Sequence, residues 1–453
     1  MPQPATPASK SPGKPTSLKR EVGIFGAILL GLGSILGTGV FVSLGIAAGV
    51  AGPAVVLAVV IAAVLAMCNG ISSAQLAAAH PVSGGTYEYG YRYLHPNAGR
   101  VAGWMFLCAK SASAATAALG FAGYLVQMIT PGEHADWSTP LALLGIVVLT
   151  GIVLAGIRRT NAVNLLIVGL TVGTLIFFII GVGVNLEGEG VMAVSNFGGL
   201  ENWENDRGQT FWPALLHGSA LVFVAFTGYG RVATLGEEIT DPRKSIPIAV
   251  VLTVLVSAAL YFGVAFVAVA EVGAYNFSAY ATEGHAPLER IARGIVPWWR
   301  YVLAIGAITA MVGVLLNLIL GLSRVALAMG RRRDLPGVFA KINDAGTTPV
   351  PAVLLVAAII FGLAAVGSVA FAWSFSATTV LIYYALTNLA ALRLPPEDRR
   401  FPRLISVAGL IGCLGLCVFI DWPYLVAAGM LLVVIVVGHA LAARFKKDPQ
   451  AEG

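Results

Sequence analysis

Apolar stretches long enough to cross a bilayer follow one another along almost the whole chain. A helix rises about 1.5 Å per residue, so about 20 residues span the hydrocarbon core. Twelve stretches meet that requirement: 22–49, 53–79, 98–128, 138–157, 161–186, 211–236, 245–271, 298–330, 349–367, 370–393, 403–420 and 422–443. Peptide groups in hydrocarbon must find partners inside the protein, so these stretches read as helices. Charged residues make up 11% of the 453 and hydrophobic ones 57%, whereas a soluble domain carries roughly 25% charge to keep its surface wet. The sequence therefore predicts an all-α integral membrane protein with 12 transmembrane helices, embedded as one unit over 21–444. The segment 1–20, rich in Pro, Ser, Thr and Lys, is too polar to fold and is expected to be a disordered tail. It lacks the apolar middle of a cleavable signal, so the first span is expected to stay. A second short tail covers 445–453.

Basic residues orient such a bundle because Lys and Arg are retained on the cytoplasmic side. With the amino terminus inside, 22 of the 28 Lys and Arg fall in cytoplasmic segments. Arg207, Arg290, Arg293 and Arg300 fall outside, and Lys110 and Arg231 lie within spans. Both termini are thus expected to be cytoplasmic, in a multi-pass protein of the cell membrane. The net charge of +6 is mostly this topological signal; it points to anionic lipid headgroups as partners and not to nucleic acid.

Two spans carry their own interruptions. The first contains Gly31-Leu-Gly-Ser-Ile-Leu-Gly-Thr-Gly39, and each glycine weakens a helix by roughly 1 kcal/mol relative to Ala. The sixth holds Phe226-Thr-Gly-Tyr-Gly230 at comparable depth. These spans open what would be matching halves, 1 to 5 and 6 to 10, the pattern of an inverted repeat. Broken backbone inside a bilayer is tolerated only where protein, water or a ligand satisfies it. Free amides at half-helix ends suit a carboxylate and free carbonyls suit an ammonium, and an amino acid carries both. The bland alternative is that glycines such as Gly33 and Gly37 only let helices pack closely.

Four further motifs then lie in order along the chain. Gly33-Ser-Ile-Leu-Gly-Thr-Gly-Val-Phe41 sits in the first span, and Pro81-Val-Ser-Gly-Gly-Thr-Tyr87 follows the second. Glu237-Glu-Ile-Thr-Asp-Pro-Arg-Lys-Ser-Ile-Pro247 links spans 6 and 7. Ser323-Arg324 and Ala328-Met329, then Asp334-Leu-Pro336 and Thr348-Pro-Val350, end span 8 and follow it. In these residues the chain resembles the amino acid-polyamine-organocation (APC) superfamily of permeases. The resemblance implies a 5+5 inverted repeat, about 22–186 and 211–393, with discontinuous helices 1 and 6 and two extra helices at 403–443. It implies a secondary active transporter of amino acids, working by alternating access, as a monomer or homodimer. The family's substrate contacts carry over to Ser34, Ile35, Gly37, Thr38 and Gly39, and to Phe226, Thr227 and Gly228. Tyr229 is either an aromatic lid or an ordinary packing aromatic.

Two charges complete the candidate set. Lys110 lies about ten residues into span 3, roughly 15 Å from its end, too deep for easy snorkelling. An ionisable group there is a functional candidate: it can handle a proton or the substrate's carboxylate, or contact backbone carbonyls. Many cationic amino acid members of the family carry an acid near this point, where this chain has Ala109 and Lys110. Neutral or acidic L-amino acids are therefore expected over cationic ones. Arg231, just after the second break, can clamp an acidic side chain or serve a gate by pairing with Glu237 or Glu238. The helix-5 lysine of some members is Thr171 here, and Val312 and Gly313, with Thr309 a turn away, stand where sodium-coupled relatives place hydroxyls. Proton coupling or exchange is the expectation; a sodium-coupled or polyamine and organic amine carrier, or an amino acid sensor that does not cycle, are the alternatives. No catalytic residue, cofactor or metal site is expected, and Cys68, Cys108, Cys413 and Cys417 read as small buried hydrophobes.

Overall fold

The structure, a computed structural model, describes residues 22–445 except 82–83, 131–136, 157–160, 187–194, 199–207, 235–238, 284 and 344–347. Among the described residues it is all helical, with one isolated bridge between Val22 and Ile239. Seven helical stretches are long and apolar enough to cross a membrane: Ile24–Ala79, Pro96–Ile129, Ala162–Leu186, Phe211–Ala233, Pro242–Glu283, Trp299–Arg331 and Val369–Leu392. Ser138–Leu154 and Val350–Ala365 are shorter apolar helices, and Arg403–Val418 with Trp422–Ile435 form a pair bent by 116°. Each stretch expected from hydropathy is thus helical over most of its described residues.

The first run is not one rod. Helix α1 (Ile24–Ile35) stops where Leu36 turns extended, at φ −75° and ψ 95°. The chain resumes as a π-helical segment, Gly39–Ser43, and passes into α2 (Leu44–Ala51). Gly52, at φ 58°, ends α2 in a conformation that a side chain resists, and α3 (Val55–Ala79) follows. A short α4 (Thr86–Tyr89) leads to the long α5 (Pro96–Ile129), α6 (Ser138–Leu154) and α7 (Asn161–Leu186).

The sixth stretch is interrupted as well. Helix α8 (Phe211–Phe226) tightens into a 3₁₀ turn, Thr227–Tyr229, before the five-residue α9 (Gly230–Thr234). Helix α10 (Pro242–Glu283) is bent at Gly273, φ 75°, just past the end expected near 271, and continues as a second leg. That leg lies against α2, where a Cβ on Gly45 would sit 2.6 Å from Ala281 Cβ and one on Gly49 would sit 2.1 Å from Ser278 Oγ. The short α11 (Pro287–Ile295) follows, then α12 (Trp299–Arg331), α13 (Val350–Ala365), α14 (Val369–Leu392), α15 (Arg403–Val418) and α16 (Trp422–Phe445). Helix α3 packs along α10, and α5 along both α12 and α14.

At one end the motifs after α3 and α12 meet. Asp334 accepts hydrogen bonds from Tyr87 and Tyr91 hydroxyls, each at 2.6 Å, and from Arg100 Nε at 3.0 Å. Arg332 pairs with Glu88 and lies over the Tyr91 ring, 4.6 Å from its centre.

Candidate functional site

The two interruptions touch. A Cβ on Gly228 would lie 2.3 Å from Ser34 O and 2.6 Å from Ile35 N, and one on Gly39 would lie 2.5 Å from Ala225 Cβ. Contacts this short are open only to glycine, so the α8 turn can sit directly on the end of α1. Gly33 and Gly37 also allow close approach, to Asn164 and Val314. The packing reading and the break reading of these glycines therefore hold together.

Tertiary partners take up some of the carbonyls at the breaks. Tyr261 of α10 places its hydroxyl 2.9 Å from Ile35 O and 3.2 Å from Ala225 O, so one proton is shared between both interrupted helices. Tyr124 of α5 donates to Phe41 O of the π segment at 2.8 Å. Thr227 O receives Tyr384 of α14 at 3.2 Å and Lys110 Nζ at 3.3 Å. With two donors its two lone pairs are filled. Lys110 also donates to Thr227 Oγ1 at 2.6 Å, while that hydroxyl donates to Val224 O at 2.7 Å.

The amides fare differently. Among the described residues, Gly37 and Thr38 N–H groups donate to no backbone carbonyl, and the buried Thr38 Oγ1 has no partner. Ser34 Oγ turns back to Leu30 O. The arrangement thus presents amide donors without a backbone partner near α1's end, and the Lys110 nitrogen, a donor in either protonation state, at the α8 turn. Both are complementary to negative charge.

Of the predicted residues, Ser34 and Ile35 meet Gly228, Gly39 meets Ala225 beside Phe226, and Gly37 lies against Val314 of α12; Lys110 reaches Thr227 with an exposure of 8%. Tyr229 is fully buried beside Tyr384, ring centres 5.4 Å apart, and faces Gly70 of α3. Arg231 lies apart, its Nη1 against Gly321 of α12; Glu237 and Glu238 fall outside the described residues. Thr171 donates to Ile167 O, and Thr309 to Ile305 O, each within its own helix. The sequence reading missed Tyr124, Tyr261 and Tyr384. The only available signal was a phenol inside an apolar span, where it needs a partner.

A sequence model of the amino acid permease family matches residues 26–452. The chain belongs to that family. This permease is 37% identical over 431 residues to an uncharacterized transporter of Mycobacterium tuberculosis, covering 94% of this chain and 92% of the relative. It is 27% identical over 353 residues to a branched-chain amino acid permease of Bacillus subtilis, covering 74% and 72%. A vacuolar cationic amino acid transporter of Arabidopsis thaliana is 26% identical over 426 residues, covering 87% of this permease and 64% of that protein. Membership makes it a transporter of the amino acid permease family with several apolar helices, and assigns it no enzymatic role.

Proposed function

We propose that this permease is a secondary active transporter that carries neutral or acidic L-amino acids across the cell membrane by alternating access. In this reading twelve helices cross the bilayer, two five-helix repeats are inverted with respect to one another, and both termini are cytoplasmic. Pairing of α3 with α10 and of α5 with α12 supports the repeat, since these are the second and third spans of each half facing their counterparts.

One observation carries the substrate assignment: the two broken helices meet with amide donors at Gly37 and Thr38 that have no backbone partner, while Lys110 Nζ is held on Thr227. The substrate's α-carboxylate binds the amides. Its ammonium must compete with Lys110 and Tyr384 for Thr227 O, and a second cationic group on a side chain would face Lys110 itself. Cationic substrates are disfavoured on that ground. Lys110 is also placed to exchange a proton as the turn loosens, which makes H⁺ the coupling ion in this reading. Tyr229 and Arg231 act at the flanks, Arg231 as a gate group sliding against Gly321.

Uptake of labelled amino acids into proteoliposomes, under imposed proton or sodium gradients, tests the reading. Accumulation of neutral or acidic amino acids driven by an inward proton gradient is expected. Failure to accumulate or exchange any amino acid overturns it. Lys110→Met is expected to lower uptake of acidic substrates at least tenfold and of neutral ones less; equal losses count against contact with the substrate side chain.

A further inference from the structure

Helix α11 lies over the π segment that continues α1, and packs against α7, α10 and α12. One phenol lies between its backbone and the broken helix. Tyr124, which donates to Phe41 O at 2.8 Å, also lies beside the backbone of Leu288 and Glu289. Leu288 and Glu289 are both fully buried by this docking.

Burial of Glu289 is costly. Neither carboxylate oxygen has a hydrogen-bond partner, and a charged carboxylate without one is among the most expensive groups to take out of water. The charged and titratable groups around it do not form a close pair with it. Arg290 is drawn to Glu283, at 3.5 Å, and over the Tyr280 ring, 4.3 Å from its centre. Arg293 on the same helix and Arg300 on α12 act only through the field. Tyr124 faces it from α5, and His285, also buried, precedes it in the turn from α10. The described residues of the π segment and of α7 bring no ionisable group. Burial raises the Glu289 carboxyl above the ordinary range against the opposing pull of Arg293, Arg300 and Arg290. His285 is pushed down to about 4 by burial.

We infer that Glu289 is a proton-binding site that latches α11 as a lid over helix 1: the lid closes on the neutral acid and is released when the acid ionises. Docking places Glu289 in a pocket that accepts a carboxylic acid far better than a carboxylate. Lifting α11 would hydrate it and return it to ordinary acidity. Sign follows from linkage. The closed lid has the higher proton affinity, so its advantage is complete below the ordinary Glu value of about 4.3 and falls, at most tenfold per pH unit, as pH rises toward the raised value. That α11 faces the outside rests on the topology proposed above; the latch itself does not require transport.

Accessibility of Leu288→Cys to a membrane-impermeant thiol reagent, in sealed vesicles of known orientation, tests the latch without measuring transport. Labelling is read over that of the parent chain's own cysteines and as a ratio to the rate of a free model thiol at the same pH, because the reactive thiolate fraction itself rises between pH 5 and 8. With Glu289 intact, labelling from the face that α11 occupies is expected to rise at least several-fold between pH 5 and 8. Adding Glu289→Gln, an uncharged near-isostere, should hold it at the low level throughout. Labelling that is independent of pH with Glu289 intact overturns the latch, as does the same rise in the Gln variant. A rise that disappears in His285→Asn with Glu289 intact also overturns it. Reagent reaching the lid only from the cytoplasmic face would reject the topology and leave the latch standing. Should the Gln variant misassemble, Glu289→Asp tests the same point, since a shorter acid in the same pocket must shift the profile and not abolish it.

Discussion

Gly228 shows how much a single position decides. Its Cα lies so close to the end of α1 that a methyl group would meet backbone atoms of Ser34 and Ile35 at 2.3–2.6 Å, and backbone cannot rotate away as a side chain does. Gly228→Ala is expected to part the two breaks, at a cost of about 1–3 kcal/mol, and to reduce uptake more than tenfold; a lower melting midpoint in detergent measures the first effect. Tyr261 makes the complementary case. Its hydroxyl is shared by Ile35 O and Ala225 O, so Tyr261→Phe removes a donor and leaves the ring's packing intact. The buried carbonyls then lack a partner, which costs about 1–3 kcal/mol, and melting should drop accordingly. An unchanged midpoint would mean that water reaches the breaks and replaces the phenol. The glycines were legible in the sequence because their effect on helix propensity is local. Tyr261 was not, because its partners are 226 and 36 residues away.

Among elements, the clasp formed by α4, the start of α5 and the turn after α12 gives physical content to two motifs that sequence could only match to a family pattern. Asp334 is nearly enclosed, with a side-chain exposure of 3%, and three donors converge on it. Asp334→Asn removes the charge and turns an N–H₂ toward those donors. A loss of about 1.5–3 kcal/mol is expected, the value of a hydrogen bond to a charged group, seen as a lower melting midpoint with the substrate profile unchanged. Burial holds the Tyr91 hydroxyl up at about 12, and Tyr87 is raised further. Both phenols thus keep their protons over the physiological range, and the clasp's contribution should be flat from pH 6 to 9. Helix α10 is two helices joined at Gly273, and the first of them ends where hydropathy expects the span to end. Apolar character fades near residue 271, but Gly273 allows a turn and the second leg finds a bed on Gly45 and Gly49 of α2.

For the molecule as a whole, the distribution of Lys and Arg predicts that both termini are cytoplasmic. Single cysteines placed near residues 10 and 450 should be protected from impermeant reagent in intact cells and labelled after permeabilisation; labelling of either in intact cells would reject that orientation. Membrane class, helical content and the places where two helices interrupt themselves were determined by the sequence alone. Each of these is a sum over neighbours along the chain, of apolar area per residue or of backbone freedom per glycine. Only the tertiary structure decided what the interruptions offer. Lys110, Tyr124, Tyr261 and Tyr384 come from three other helices to claim carbonyls at the breaks, while the Gly37 and Thr38 amides keep no backbone partner among the described residues. Docking of α11 likewise turned Glu289, unremarked in the sequence, into a buried acid without a partner. A group's solvation is set by what packs over it, and hydropathy along a chain carries no record of that.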